Sequence, residues 1–392
     1  MTSDPQNNIE GRTGKTRPVI LQILPRLVTG GVERGAVDVA LAAREAGWTS
    51  LVVSHGGPMV RELERGGVEH IVLPVHSKNP LVMYRNVRRL ADIITERGVD
   101  IVHARSRAPA WSAYAAADQT GAHFVTTVHG TYTLGGLPFK KSYNEVMTRG
   151  ERVIAISSFI ANHIREAYDV DSARVRIIPR GIDFSRFDPT AVNPNRIISL
   201  ARAWRLADGM PVVMLPGRLT RWKGQTVLIE ALARLGRRDL RCLLVGADQG
   251  RARYRRELDR LVKSSGLGDV VHIVDHCNDM AAAYMLSDVV VSASTDPEAF
   301  GRVAVEAQAM GRPVVATDHG GSRETVVPGH TGWLVPPSDP DALARAIDTV
   351  LALSPDERSA LAARQIEHAR ANFTREAMCR RTLEVYAEVL RR

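Results

Sequence analysis

Residues 292–327 bring together groups that suit a phosphorylated, hydroxyl-bearing ligand. A β-branched run, Val289–Ser292, opens into the polar loop Thr295-Asp296-Pro297-Glu298-Ala299, and helical periodicity then runs from about Phe300-Gly301 to Met310. A helix start offers free N–H groups and the positive end of the helix dipole. The backbone around Phe300, Gly301, Arg302 and Val303 can therefore hold a phosphate. Gly301 lets a ligand approach the main chain closely. Glu298 stands just ahead of the helix, at the strand end. Glu306 lies two turns in, within Val303-Ala304-Val305-Glu306-Ala307, where a carboxylate is costly unless paired or hydrogen-bonded. Two ribose hydroxyls would satisfy it. Gly311-Arg312-Pro313 ends the helix, the run Val314–Ala316 follows, and Asp318-His319-Gly320-Gly321 forms a second loop.

Three further loops carry compatible chemistry. Gly217-Arg218-Leu219-Thr220-Arg221-Trp222-Lys223-Gly224 follows the run Val212–Leu215. Arg218 and Lys223 there suit a diphosphate. Gly30-Gly31 follows the run Val19–Leu24, and His129-Gly130-Thr131 ends the run Phe124–Val128. In the first half, Lys78, Asn79, Arg105, Arg107 and Tyr132 fall in loops after strands and are candidates to bind a second substrate. Arg107 opens a helix with Ala108-Pro109, a favourable place for an anion.

Positioning these loops takes two parallel sheets. In the first half, short apolar runs at Val19–Leu24, Ser50–Ser54, Ile71–Leu73, Ile101–His103, Phe124–Val128, Val153–Ile156 and Val175–Ile178 read as strands. A second series reads Val212–Leu215, Cys242–Val245, Val271–Val274, Val289–Ser292, Val314–Ala316 and Trp333–Val335. Helical periodicity fills the gaps, as at Val32–Ala46, Leu81–Arg97, Gly224–Leu235 and Asp341–Leu351. Near-continuous apolar strands alternating with helices predict an α/β protein with two doubly wound, Rossmann-like domains. Such sheets bind ligands beyond the carboxyl ends of their strands, and two domains would face a cleft. The series breaks around Asp183–Asp208, so we expect a polar, disordered tail at 1–17, domains at 18–205 and 206–375, and a closing helix at 376–392 that crosses back.

Composition narrows the class. The 392 residues are 44% hydrophobic and 24% charged, which is ordinary globular usage. Cys242, Cys277 and Cys379 are far apart and suggest neither a disulfide framework nor a zinc site, which fits a reducing cytoplasm. The tail has no apolar segment of the kind a signal peptide needs, and no window approaches the ~18 apolar residues of a spanning helix. Of the net charge of +9, residues 1–205 carry +8 (27 Lys and Arg against 19 Asp and Glu). That imbalance suits an anionic partner, such as a phosphorylated glycolipid or the inner membrane surface, or Arg-rich solvated helices. Arg85, Arg88 and Arg89 share one such helix. Gly11-Arg12-Thr13-Gly14-Lys15-Thr16 lacks the first glycine and the preceding strand of a phosphate-binding loop. Asp169-Val170-Asp171 reads as a turn rather than a metal-binding carboxylate pair. No dinucleotide fingerprint follows a strand, and no helix-turn-helix or aromatic stacking platform suggests nucleic acid.

The run Glu298-Ala-Phe-Gly-Arg-Val-Ala-Val-Glu306, continuing through Gly311-Arg-Pro313 to Ala316, resembles the Glu-x7-Glu signature of retaining glycosyltransferases of family 4, the group 1 transferases of GT-B fold. Gly30-Gly31-Val32-Glu33-Arg34, the Gly217-Arg218 to Lys223-Gly224 loop, and Ile178-Pro179-Arg180-Gly181-Ile182-Asp183 add to the resemblance, which spans about residues 18–390. It implies transfer of a hexose from a nucleoside-diphosphate sugar, with retention, to a glycan or glycolipid acceptor in lipopolysaccharide or other cell-surface polysaccharide synthesis. Glu298 would contact sugar hydroxyls and Glu306 the ribose. Arg218 and Lys223 would neutralise the diphosphate in place of a metal, so no cofactor is expected. Backbone N–H groups at Phe300–Val303 would touch the phosphates. Gly217, Gly30 and Gly31 would line the donor site and His129 the reacting centre. The leaving diphosphate would help take the acceptor proton. Arg180 departs from the asparagine usual at its position: it either adds a charge near the cleft or points to solvent. A sugar-nucleotide epimerase or phosphorylase on the same fold, or a non-catalytic anion-binding protein, is the alternative.

Overall fold

The computed structural model describes residues 17–28, 30–132 and 138–391. The Gly11–Thr16 segment, and all of the expected tail but its last residue, lie outside them. The chain forms two compact units, one reaching Gly181 and taking back Arg375–Arg392, the other Ile182–Thr374.

All thirteen expected strands are present. In the first unit they are β1 (Val19–Ile23), β2 (Thr49–Ser54), β3 (Glu69–Val72), β4 (Ile101–Ala104), β5 (His123–Val128), β6 (Arg152–Ala155) and β7 (Val175–Ile177). They pair in parallel in the order β3-β2-β1-β4-β5-β6-β7. The second unit holds β8 (Val212–Pro216), β9 (Arg241–Val245), β10 (Val271–Val274), β11 (Val289–Ser292), β12 (Val314–Thr317) and β13 (Trp333–Val335), in the parallel order β10-β9-β8-β11-β12-β13. The central strands are buried on both faces, as β8 and β11 show along their whole length. That burial is why their sequences are continuous rather than alternating.

Strand order reverses once in each sheet, between β1 and β4 and between β8 and β11. The connections leaving such a strand pair diverge to opposite faces and open a crevice at the carboxyl ends. Both reversals carry the same fastening at the opposite end. Asp100, just before β4, accepts the Val19 N–H at 2.8 Å, and Asp288, just before β11, accepts the Val212 N–H at 2.8 Å.

The division falls at Gly181, earlier than the expected 205, because residues 182–205 are tied into the second unit. Ile182 N–H donates to the Phe373 carbonyl at 2.9 Å. Phe187 packs on the Tyr284 ring edge with centroids 6.0 Å apart. Arg196 on the helix Pro194–Ala203 grips Asp279 through two bonds of 2.8 and 2.6 Å. The closing helix, Arg375–Leu390, packs with the first unit. Tyr386 and Val389 are fully buried beside Ile20, Ile101 and Val125. Glu388 binds Arg152 at 2.6 Å and Arg176 at 2.5 Å. Asp169-Val170-Asp171 is a turn: Asp169 takes the left-handed conformation after the helix Ser158–Tyr168, and Asp171 caps the next short helix.

Candidate functional site

In the second unit, three loops meet at the carboxyl ends of β8, β11 and β12. The first turns at Gly224, with φ of 71°, where an added Cβ would stand 1.8 Å from the Ala293 carbonyl oxygen. Only glycine lets the two loops touch this closely. Thr295 N–H donates to the Trp222 carbonyl at 2.7 Å, fastening the same contact. Lys223 thereby reaches Glu298: its Nζ lies 2.5 Å from Oε1, which also accepts from Ser294 Oγ at 2.6 Å. The loop after β12 closes the third side, with Gly321 N–H donating to the Glu298 carbonyl at 2.7 Å.

The helix expected from Phe300 runs Arg302–Ala309. Gly301 caps it at φ 85° and offers no side chain to the first turn, whose N–H groups have no partner within the helix. Glu306 already has both oxygens engaged, Oε1 by Arg302 Nε at 2.8 Å and Oε2 by Tyr284 Oη at 2.9 Å. The protein, not only a ligand, therefore offsets the cost of that carboxylate. The remaining lone pairs stay available to further donors. Phe300 is 5% exposed and stacks edge-on against Phe373, so its side chain packs and only its backbone faces the helix start. Arg218 is exposed and makes no ion pair or side-chain hydrogen bond among the described residues. Gly217, at φ 152°, stands beside the Lys223 stem. Among the described residues, no three His, Cys, Asp or Glu side chains gather as metal ligands would.

In the first unit, Gly30 is the cap of the helix Gly31–Glu45. His129 sits at the end of β5, its Nδ1 2.8 Å from Arg180 Nη2. Burial and the neighbouring Arg180 hold its imidazole well below the ordinary value, so it is neutral. Arg180 points inward, only 8% exposed, which rules out the reading that it points to solvent. Of the five candidates for a second substrate, two are otherwise engaged. Arg105 is 5% exposed, because its Nε donates to Gln22 on β1 at 2.6 Å. Asn79 caps the helix Pro80–Arg97, accepting from Leu81 N at 2.9 Å. Arg107 and Tyr132 do come together, the guanidinium 4.3 Å from the ring centroid, with Asn144 accepting from Arg107 at 2.8 Å. Burial pushes the Tyr132 hydroxyl up to about 12. Lys78 is exposed.

Sequence reasoning did not single out Tyr284, Ser294, Gln22 or Gly35. The Arg302–Glu306 pair was visible as an i, i+4 spacing. Tyr284 had no such signal, since its contact with Glu306 joins two helices distant in sequence.

Two family models match: "Glycosyltransferase Family 4" over residues 29–186 and "Glycosyl transferases group 1" over residues 199–371. A glycosyltransferase structure from Rickettsia africae ESF-5 shares 38% identity with a TM-score of 0.88, covering 95% of this chain and 99% of that one. Anabaena Alr3699/HepE, solved in complex with UDP and glucose, shares 25% identity with a TM-score of 0.82, covering 95% of this chain and all of its own. A D-inositol 3-phosphate glycosyltransferase of Frankia alni is 32% identical over 74% of each chain. The chain belongs to the family 4, group 1 glycosyltransferases and is a GT-B transferase.

Proposed function

We propose that this enzyme moves a hexose from a nucleoside-diphosphate sugar, with retention and without a metal, to a glycan or glycolipid acceptor that carries negative charge. The observation that supports the donor reading best is the meeting of Lys223, Glu298 and the helix start at Gly301 beside the β8–β11 reversal. Arg218 and the first-turn N–H groups of Arg302 and Val303 would bind the diphosphate. Glu306 would take the ribose hydroxyls and Glu298 the sugar hydroxyls. In the reaction the bond from the anomeric carbon to the phosphate oxygen breaks on the face where the bond to the acceptor oxygen forms. The acceptor proton passes to the departing phosphate. The UDP complex of the Anabaena relative supports a nucleotide donor.

The basic first half and the inositol phosphate in the name of the Frankia relative support an anionic acceptor. Arg107 at its helix start, Tyr132 and Lys78 are the residues we assign to it. Exposed Val72, Leu81 and Tyr84 lie close along the chain to exposed Lys78, Arg85, Arg88 and Arg89. No helix among the described residues is long and apolar enough to cross a membrane. We assign this patch to the cytoplasmic face of an anionic membrane, at about 1 kcal/mol per basic residue, as cell-surface polysaccharide assembly would require. Sedimentation with anionic vesicles at low salt, absent with neutral ones, is the expected result.

The direct test is nucleotide release from a panel of UDP-, GDP- and ADP-sugars in EDTA with a phosphorylated glycolipid extract as acceptor. Acceptor-stimulated release from one donor, with the anomeric configuration kept in the product, is expected. Arg218→Ala should slow turnover on the order of 10²–10³. Loss of all activity in EDTA, restored by Mg²⁺, would overturn the metal-free reading.

A further inference from the structure

Arg180 enters the first unit from the residues after β7 and lies under the first turn of the helix Gly31–Glu45. Its Nη1 donates to the Gly31 carbonyl, and its Nη2 meets His129 Nδ1 at 2.8 Å. Gly35 leaves the slot open, since a Cβ there would stand 3.0 Å from Arg180 Nη1. A guanidinium carries five N–H donors and no acceptor, and it does not lose its proton in proteins. The contact is therefore possible only if His129 Nδ1 presents its lone pair. A neutral imidazole with Nδ1 as acceptor carries its proton on Nε2. That Nε2 is buried and has no partner among the described residues. The ring lines a small cavity with Arg105 and Thr127. Arg105 presents a second unpartnered donor, Nη2. The ionisable groups acting on the ring are Arg180, Arg105 and His103, with no carboxylate among them. His103 is itself occupied by Tyr386 Oη at 2.6 Å and Thr127 Oγ1 at 2.7 Å.

We propose that Arg180 is a positioning residue that locks His129 as the Nε2–H tautomer, making the ring a fixed hydrogen-bond donor to a substrate oxygen and not a general base. The assignment of the ring to the reaction rests on the proposed transferase function; the tautomer does not. With Nδ1 occupied by a permanent donor, protonation would place a third positive charge beside two guanidiniums. The ring therefore stays neutral and donates from Nε2 throughout the working pH range. A sugar hydroxyl or phosphate oxygen is the chemical class it would receive.

The test reads the tautomer directly, by two-bond ¹H–¹⁵N correlation of the ring in ¹⁵N-histidine-labelled full-length protein, with His129→Gln assigning the signal. The wild type should show the Nε2–H pattern and no titration between pH 5.5 and 8. Arg180→Met, an apolar replacement of similar length, should release the lock. The ring should then populate the Nδ1–H form as well and protonate more readily than in the wild type, while burial and Arg105 still hold it below an ordinary imidazole, and kcat should gain an acid limb that the wild type lacks while donor KM stays within about twofold. Arg180→Lys, which still offers only donors, should keep the wild-type tautomer and guards against a folding defect in Arg180→Met. An Nδ1–H pattern in the wild type, or an unchanged ring in Arg180→Met, would overturn the lock. Confirmation of the tautomer together with full activity in His129→Gln would overturn the positioning role and leave the rest of the transferase reading in place.

Discussion

At Glu306 one carboxylate serves two partners, and both would register its loss. Removing the side chain strands the Tyr284 hydroxyl, which is fully buried. A buried donor left without an acceptor costs about 1–3 kcal/mol. Glu306→Ala should therefore lower the thermal midpoint as well as raise donor KM, whereas Glu306→Gln, which keeps an acceptor for Tyr284, should raise KM with a smaller loss of stability. A melt indistinguishable from wild type in Glu306→Ala would contradict this arrangement. Lys223 and Glu298, at 15% and 12% side-chain exposure, form a largely desolvated pair. Taking either partner away leaves the other's charge poorly solvated, so the two residues should act as a unit. Lys223→Ala and Glu298→Gln should each lower kcat strongly, and the double variant should lose much less than the product of the two effects. Additive effects in a double-mutant cycle would show that they act separately.

The loops depend on elements that were largely readable. The apolar runs gave away the central strands because both faces of each are buried, and β8 and β11 show this along their whole length. The glycines and the Glu-x7-Glu spacing pointed to the helix start. What stayed hidden was long-range. Nothing local says that Arg105 turns inward to Gln22, that Lys223 spends its charge on Glu298, or that residues 182–205 fasten to the second unit through Arg196 and Asp279. Each of those depends on a partner far along the chain. Gly224 is the element-scale hinge of the site. A methyl group there meets the Ala293 carbonyl in a left-handed conformation, so the loop must move and take Lys223 with it. Gly224→Ala should therefore depress kcat at least tenfold while the second unit still unfolds cooperatively, as measured by initial rates beside circular-dichroism melts. Wild-type turnover would mean that the loop contact is dispensable.

At the scale of the molecule, the first unit borrows its last helix from the far end of the chain. Arg152, 2% exposed, and Arg176 hold the Glu388 carboxyl down to about 2. A carboxylate held low favours folding while it is ionised. Its contribution is full above the ordinary value of 4.5 and fades as pH falls through about 2. Glu388→Gln should thus cost about 1–3 kcal/mol at pH 7, since Arg152 is left with the Glu151 carbonyl among its partners, and the gap to wild type should close in strong acid. An equal gap at pH 7 and pH 2.5 would count against the pair.

The same helix sets the order of events during synthesis. A ribosome releases β1 to β7 early, yet the apolar surface around Ile20, Ile101 and Val125 that Met378, Tyr386 and Val389 cover stays open until residues 375–390 emerge. The second unit, wholly encoded between, has every residue it needs before then. The first unit is thus completed only after the second, so the nascent chain carries an exposed sheet face throughout synthesis of residues 182–374. A stop codon that removes only the final helix should leave the complete second unit joined to a first unit that aggregates.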